Sequence, residues 1–181
     1  MRKKFLNLGS GKDYRDSNEE IEWINLDNCK KVKADVYADL EKKLPFKIDT
    51  FDGVYTCHVL EHIKNLDLLM SELKRVCKNG AVINIRVPHA SCLVTYQDPT
   101  HVRFFTYMTF DYFTDWNFYD NPKFKILKKS LNYTAERWTF LNYIFNPIIN
   151  ICPTYYERLF GWIFPCAEVK CKLEVVKSKN P

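Results

Sequence analysis

The sequence predicts an α/β fold with a mostly parallel sheet and helices on both faces. Short apolar runs of strand length recur through the first half, each ended by Gly, Asp or Pro. One longer stretch between two of these runs carries helical rather than alternating periodicity. Strands alternating with such connections return in the same direction and lie parallel.

Lys4 to Leu8 is the first expected strand, closed by Gly9-Ser10-Gly11. Glu22 to Leu26 is the second, ended by Asp27, and Ala34 to Tyr37 a weaker third, ended by Asp39. Phe51 to Cys57 follows as the fourth. A helix is expected over 65–77, because Leu66, Leu69, Met70, Leu73, Val76 and Cys77 fall on one face. Asn65 is placed to cap its start, Lys74, Arg75 and Lys78 suit its C-terminal dipole, and Asn79-Gly80 reads as its stop. Ala81 to Val87 is a fifth strand, closed by Pro88. Beyond it, Thr109 to Phe118 reads as helical, and Lys123 to Tyr133 and Glu168 to Lys177 as strands. The aromatic stretch between those two strands reads as short helices broken at Pro147 and Pro153.

With 181 residues, 46% of them hydrophobic, the chain suits one domain and is too apolar for a disordered one. The expected organisation is a single domain over 1–181, with a cofactor-binding half at 1–90 and a substrate-side, aromatic half at 91–181. A net charge of +5 without a run of five like charges reads as a solvated surface, so nucleic acid is an unlikely partner. Seven cysteines without a Cys-x-x-Cys pair argue against a closed zinc site, and no metal is expected. They suit reduced thiols in a cytoplasmic protein. The N-terminus enters a strand at once, leaving no room for a signal peptide, and Pro147, Pro153 and Glu157-Arg158 interrupt the one very apolar region.

Chemistry concentrates at the strand ends. Gly9-Ser10-Gly11 lets backbone approach a ligand closely, although a tight turn alone would use the same residues. Asp27, beside Asn28, stands where such folds grip a ribose, and its plain alternative is a strand-end turn. Asp39 with Leu40 suits an adenine, or else Asp39 is a cap before residues 40–43.

These pieces, with Ile-Asn-Leu-Asp at 24–27, Ala-Asp-Leu at 38–40, Leu-Pro-Phe at 44–46, Phe-Asp-Gly-Val at 51–54 and His-Val-Leu-Glu-His at 58–62, resemble the class I S-adenosylmethionine-dependent methyltransferases. The nearest likeness is to the small methyltransferase-domain group, over roughly residues 4–90, and Asp98-Pro-Thr-His-Val-Arg-Phe-Phe-Thr106 resembles a later segment of part of that group. The resemblance implies a Rossmann-like three-layer sandwich with a compact N-terminus. It implies S-adenosyl-L-methionine as cofactor and S-adenosyl-L-homocysteine as product. Gly9, Ser10 and Gly11 would line its methionine and ribose, Asp27 and Asn28 would hold the ribose, Asp39 and Leu40 the adenine, and Cys57 and His58 would face the sulfonium end. The chain departs from the pattern after Gly11, where Lys12-Asp13 replaces a third glycine and a loop replaces a full helix. Lys12 there becomes a clamp for the methionine carboxylate.

The four histidines, His58, His62, His89 and His101, all follow the fourth or fifth strand, at the carboxyl edge where ligands bind in open α/β sheets. Transfer from a sulfonium needs alignment more than acid or base. A hydroxyl acceptor is helped by a base, for which His58 and His101 come first and His89 next, with His62 structural. The expected acceptor is a small molecule or a glycan. The aromatic residues from 138 to 164 form a lid and core, or touch a membrane surface or lipid-linked acceptor. Two other functions stay open: a non-catalytic S-adenosylmethionine-binding scaffold or partner subunit, and a dehydrogenase using a nucleotide cofactor.

Overall fold

A computed structural model describes residues 2–115 and 122–177. One seven-stranded sheet runs through it in the order β3-β2-β1-β4-β5-β7-β6. Its strands are β1 (Lys3–Leu8), β2 (Ile21–Asp27), β3 (Val36–Tyr37), β4 (Phe51–Cys57), β5 (Cys77–Pro88), β6 (Phe124–Asn132) and β7 (Glu168–Val175). The first five pair in parallel, and β7 inserts antiparallel between β5 and β6. From β1 the chain winds outward to β2 and β3, then returns to lay β4 and β5 on the other side. The carboxyl ends of β1 and β4 therefore flank the crevice where the winding reverses.

Helix α1 (Leu66–Val76) follows the expected face: Leu66, Leu69, Met70, Leu73 and Val76 are buried. Each such side chain contributes roughly 1.5–3 kcal/mol by leaving water. Asn65 caps the helix by accepting the Leu68 N–H at 3.1 Å. Glu72, on the buried side, accepts the Leu44 N–H at 2.7 Å and pairs with Arg75, whose guanidinium also reaches the Leu44 and Phe46 carbonyls. This ties the 44–46 turn to α1.

The expected stop at Asn79-Gly80 is corrected. Cys77 is already extended and pairs with Phe51, and β5 starts there without a loop. Gly80, at φ +79°, lies inside the strand where the β4–β5 register shifts, so it serves a bulge rather than a helix end. Pro147 does not break the aromatic segment but lies inside α3 (Asn142–Ile149), and Pro153 opens α4 (Pro153–Leu159) at its first turn, where a missing N–H costs nothing. The helical stretch after residue 109 is a 3₁₀ turn at Thr109–Phe113, and its expected continuation to 118 leaves the described residues. Helix α2 (Val94–Gln97) is a single turn.

No helix joins β1 to β2. Residues 12–20 cross as a loop stitched by asparagines of the strands. Asn7 donates to the Asp13 carbonyl at 2.6 Å and to Asn25 Oδ1 at 3.0 Å. Asn25 accepts the Arg15 N–H at 2.9 Å and donates to the Arg15 carbonyl at 3.0 Å and to Asp35 at 2.8 Å. The Arg15 guanidinium lies 3.6 Å from the Tyr55 ring centroid, covering sheet surface that a helix would otherwise cover.

Among the described residues no helix is long and apolar enough to cross a membrane. Even so, the segment around α3 and α4 leaves most of its aromatics outside: Trp138, Tyr143, Tyr155, Trp162 and Phe164 are largely exposed, while Tyr156 packs on the core and Phe145 stacks on Tyr133.

Candidate active site

A cleft of about 430 Å³ opens at the reversal point, a size suited to a small-molecule ligand. Of the residues expected to hold a cofactor, Gly9, Gly11, Asp27, Asn28, Asp39, Leu40 and His58 line it. Glu41, Val59, His62 and Ile63 line it as well and were not expected. Ser10, Lys12 and Cys57 stand outside this lining. Ser10 is buried, with a hydroxyl that makes no hydrogen bond, while Lys12 is exposed.

The floor is built from backbone that few residues adopt. Gly9 has φ +65° and Gly11 φ +50°. A Cβ on Gly9 would meet Val59 Cγ2 at 2.4 Å, so the close approach of the first loop to the turn after β4 demands glycine. A Cβ on Gly11 would meet nothing within 4 Å, which leaves that backbone open to a ligand. His58, at φ +55°, turns the chain after β4 and brings Val59 against Gly9.

The Asp27 carboxylate is fixed from two sides: Oδ2 accepts the Gly11 N–H at 2.7 Å and Oδ1 the Cys29 N–H at 2.8 Å. A carboxylate has about four acceptor sites, so each oxygen keeps capacity for a hydroxyl donor. Asp39 caps its own turn by accepting the Glu41 N–H at 2.9 Å, which holds its carboxyl below the usual range, and Leu40 is buried beside it. Preformed backbone, a fixed carboxylate at the end of β2 and an apolar wall after β3 fit an adenosine with a charged tail.

The histidines divide into three environments. His58 donates from Nε2 to the fully buried Glu168 at 2.8 Å and has Glu61 at 3.4 Å from Nδ1. These partners raise its pKa to about 10. Burial alone would raise Glu168, but hydrogen bonds from His58 and Arg86 hold it below the ordinary carboxyl range. His58 is thus an imidazolium at neutral pH, a donor where a base was expected. His89 is buried away from the cleft lining, with Ser91 at 2.8 Å on Nδ1 and Glu157 at 2.8 Å on Nε2. The Ser91 backbone N–H also donates to Nδ1, so His89 is committed to holding α4 against the end of β5.

His62 and His101 pack edge to face, ring centroids 4.7 Å apart. His101 Nδ1 donates to the Thr95 carbonyl at 3.0 Å, so in the neutral ring the lone pair sits on Nε2. Thr100 gives its hydroxyl proton to Asp98 at 2.6 Å and so accepts from His62 Nδ1 at 2.9 Å, which selects the same tautomer of the neutral His62 ring. The 98–105 segment is held by Val102 and Arg103 N–H groups on the Glu61 carbonyl. The Arg103 guanidinium reaches the Ile63 carbonyl at 2.7 Å. Sequence spacing suggests the histidine cluster, and Glu61 and Thr100 lie inside segments noted in the sequence, but Arg86 and Glu168 carry no local signal; only tertiary pairing reveals them.

A protein-family model described as a methyltransferase domain matches residues 16–85. Over 54 residues the chain is 44% identical to sterol 4-C-methyltransferase strm-1 of Caenorhabditis elegans, covering 30% of this chain and 15% of that protein. The chain thus spans a small part of the length of that curated relative. Among solved structures, a SAM dependent methyltransferase from Archaeoglobus fulgidus is similar at 20% identity and TM-score 0.65, covering 96% of this chain and 86% of the other. A putative methyltransferase from Bacillus halodurans gives 12% identity and TM-score 0.65, covering 97% and 94%. Phosphoethanolamine N-methyltransferase 2 of Haemonchus contortus, solved with S-adenosyl-L-methionine, gives 12% and 0.59, covering 97% of this chain and 49% of that one. At such identities the structures establish the shared fold.

Proposed function

From a chain that carries a methyltransferase domain on the class I S-adenosylmethionine-dependent methyltransferase fold, we infer that it transfers a methyl group from that cofactor to an oxygen of a small-molecule or glycan-type acceptor. The observation that carries this is the cleft at the β1–β4 reversal, where Gly9, Gly11 and Asp27 form one preset surface. Bound S-adenosylmethionine supplies a methyl already activated by its sulfonium. The protein's own work is positioning and water exclusion. Asp27 would accept the ribose hydroxyls, Asp39 and Leu40 would flank the adenine, and the open backbone of Gly11 would run along the tail. The His58 imidazolium, held between Glu168 and Glu61, would place a positive charge at the cleft wall. In their neutral rings, the Nε2 lone pairs of His62 and His101 would receive the proton of an acceptor hydroxyl.

The α3–α4 aromatics support an acceptor with an apolar body or a lipid anchor. Glu157 of α4 bonds His89 and the Tyr107 N–H at the carboxyl edge of β5, so the exposed aromatic hairpin stands on the sheet edge that an acceptor must cross. The sterol acceptor named for the nematode relative shares the apolar body, although that protein is named for methylating carbon 4. The test is calorimetry with S-adenosylmethionine on the wild type and Asp27→Asn, followed by formation of S-adenosylhomocysteine with sterol, phenolic and glycolipid acceptors. Hydrogen bonds to a charged group contribute about 1.5–3 kcal/mol. Asp27→Asn should therefore weaken binding by roughly 10- to 150-fold. Absence of wild-type binding, with stabilisation by a nicotinamide dinucleotide instead, overturns the reading in favour of a dehydrogenase. Binding without turnover on any acceptor favours the scaffold.

A further inference from the structure

Beside this cleft, Glu61 is 0% exposed, yet neither carboxylate oxygen makes a hydrogen bond. The nearest nitrogens to Oε1 are His58 Nδ1 at 3.4 Å and His101 Nε2 at 4.0 Å. The His58 imidazolium balances the charge from 3.4 Å, but a buried carboxylate whose oxygens accept no hydrogen bond within the usual distance is still costly, and native structures seldom keep one. Its surroundings supply ligands. Glu61, His62 and His101 each offer a ligand atom within 4.8 Å of the others, and Asp98 Oδ2 lies 3.8 Å from His101 Nε2.

The hydrogen bonds already described turn this cluster into a set of lone pairs. Each imidazole donates its Nδ1 proton to a fixed oxygen, the Thr95 carbonyl for His101 and the Thr100 hydroxyl for His62. Metal-binding histidines are oriented in the same way, by a second partner that sets the tautomer. The side chain of His101 is only 4% exposed, so it is held in place. Two atoms each about 2.1 Å from a tetrahedral ion stand about 3.4 Å apart, so the 4.0 and 3.8 Å separations need only a small side-chain adjustment. The other metal-like group, Cys57, His58 and Glu168, differs in kind: both Glu168 oxygens are taken by Arg86, and His58 and Asn132 add to them.

We propose that Glu61, His62 and His101, with Asp98 at the rim, bind a first-row divalent metal ion of the zinc class. Two imidazoles and one carboxylate suit such ions and leave coordination positions open. Because His62 also lines the cofactor cleft, those positions face the space where the acceptor stands. An ion there would hold an acceptor hydroxyl and lower its pKa, taking over the proton-accepting role of the two histidines.

The experiment titrates the full-length protein, stripped with EDTA, with Co²⁺ and Zn²⁺. Co²⁺ is followed by visible absorption and Zn²⁺ by calorimetry. One equivalent is expected, with a Kd of about 1 µM or tighter and a raised melting temperature. Glu61→Gln and His101→Asn should each weaken binding at least tenfold, and Thr100→Val, which removes the partner of His62, by about 10- to 100-fold. Cys57→Ser should leave binding unchanged. Absence of a stoichiometric site in the wild type overturns the proposal, as does a site that survives Glu61→Gln and His101→Asn or is lost with Cys57→Ser. Should the variants fail to fold, the wild-type spectrum and stoichiometry decide alone. Since none of these readouts involves S-adenosylmethionine, their failure is separable from failure of the methyltransferase reading.

Discussion

Gly9 offers a quantitative test of how the cleft is built. Substitution by Ala forces an L residue to hold φ +65°, at a cost of about 1–2 kcal/mol. It also drives a methyl group to 2.4 Å from Val59 Cγ2 and 2.8 Å from Cγ1, an overpacking of about 1–3 kcal/mol. Together Gly9→Ala should lose about 2–5 kcal/mol. Val59→Ala alone removes two methyl groups, near 0.8 kcal/mol each, or about 1.6 kcal/mol. Combining the two removes both methyl collisions and leaves the backbone strain and a 3.2 Å contact with the residue-59 Cβ beside the Val59 loss. A double-mutant cycle by urea unfolding, followed by circular dichroism, should therefore show a favourable coupling of about 1–3 kcal/mol. Gly11→Ala, with φ +50° and nothing within 4 Å, should cost only the strain of about 1–2 kcal/mol. Additivity of Gly9→Ala and Val59→Ala within about 0.5 kcal/mol, or equal costs at the two glycines, would refute the claim that the first loop closes directly on the turn after β4.

Two further outcomes follow from the packing. Asn25→Ala removes a fully buried side chain that bonds Arg15, Asn7 and Asp35; at about 1–3 kcal/mol per buried polar group left unpaired, a loss of roughly 2–4 kcal/mol is expected. Faster amide exchange at Arg15 should accompany it, and unchanged exchange would show that the loop is held otherwise. Burial pushes the thiols of Cys77, Cys166 and Cys171 up to about 12, while Cys29 and Cys152 are exposed. At pH 8 a disulfide reagent should therefore modify two cysteines quickly, and all seven only in denaturant; rapid reaction at Cys77, Cys166 or Cys171, located by mass spectrometry, contradicts the packing of β5 and β7.

Local pattern made β1, β2, β4 and α1 readable, because each is either a short apolar run with a sharp end or a clear helical face. It misled at Asn79-Gly80. A glycine after a helical stripe looks like a cap, and only the pairing of Cys77 with Phe51 shows that the strand has already begun. The aromatic stretch left two readings open in the sequence, because composition does not say whether rings meet a core; here Tyr156 packs on the core and Glu157 bonds His89, while most of the other rings are exposed. At the site, glycines and strand-end aspartates are legible because backbone geometry restricts residue type. The state of each histidine is not, since it depends on partners such as Glu168, which lies 110 positions from His58.

The insertion of β7 has a consequence for how the chain matures. A ribosome that has released residues up to about 160 has made β5 and β6 but not the strand that joins them. Until then β5 exposes an unpaired edge, His58 and Arg86 lack Glu168, and β6 has no strand beside it, only α3. Such edges recruit other chains, and nascent polypeptides carrying them rely on speed or on chaperones. Pausing of translation just before residue 168 should therefore harm yield more than pausing after residue 175, since the final addition fills an interior slot instead of extending a border.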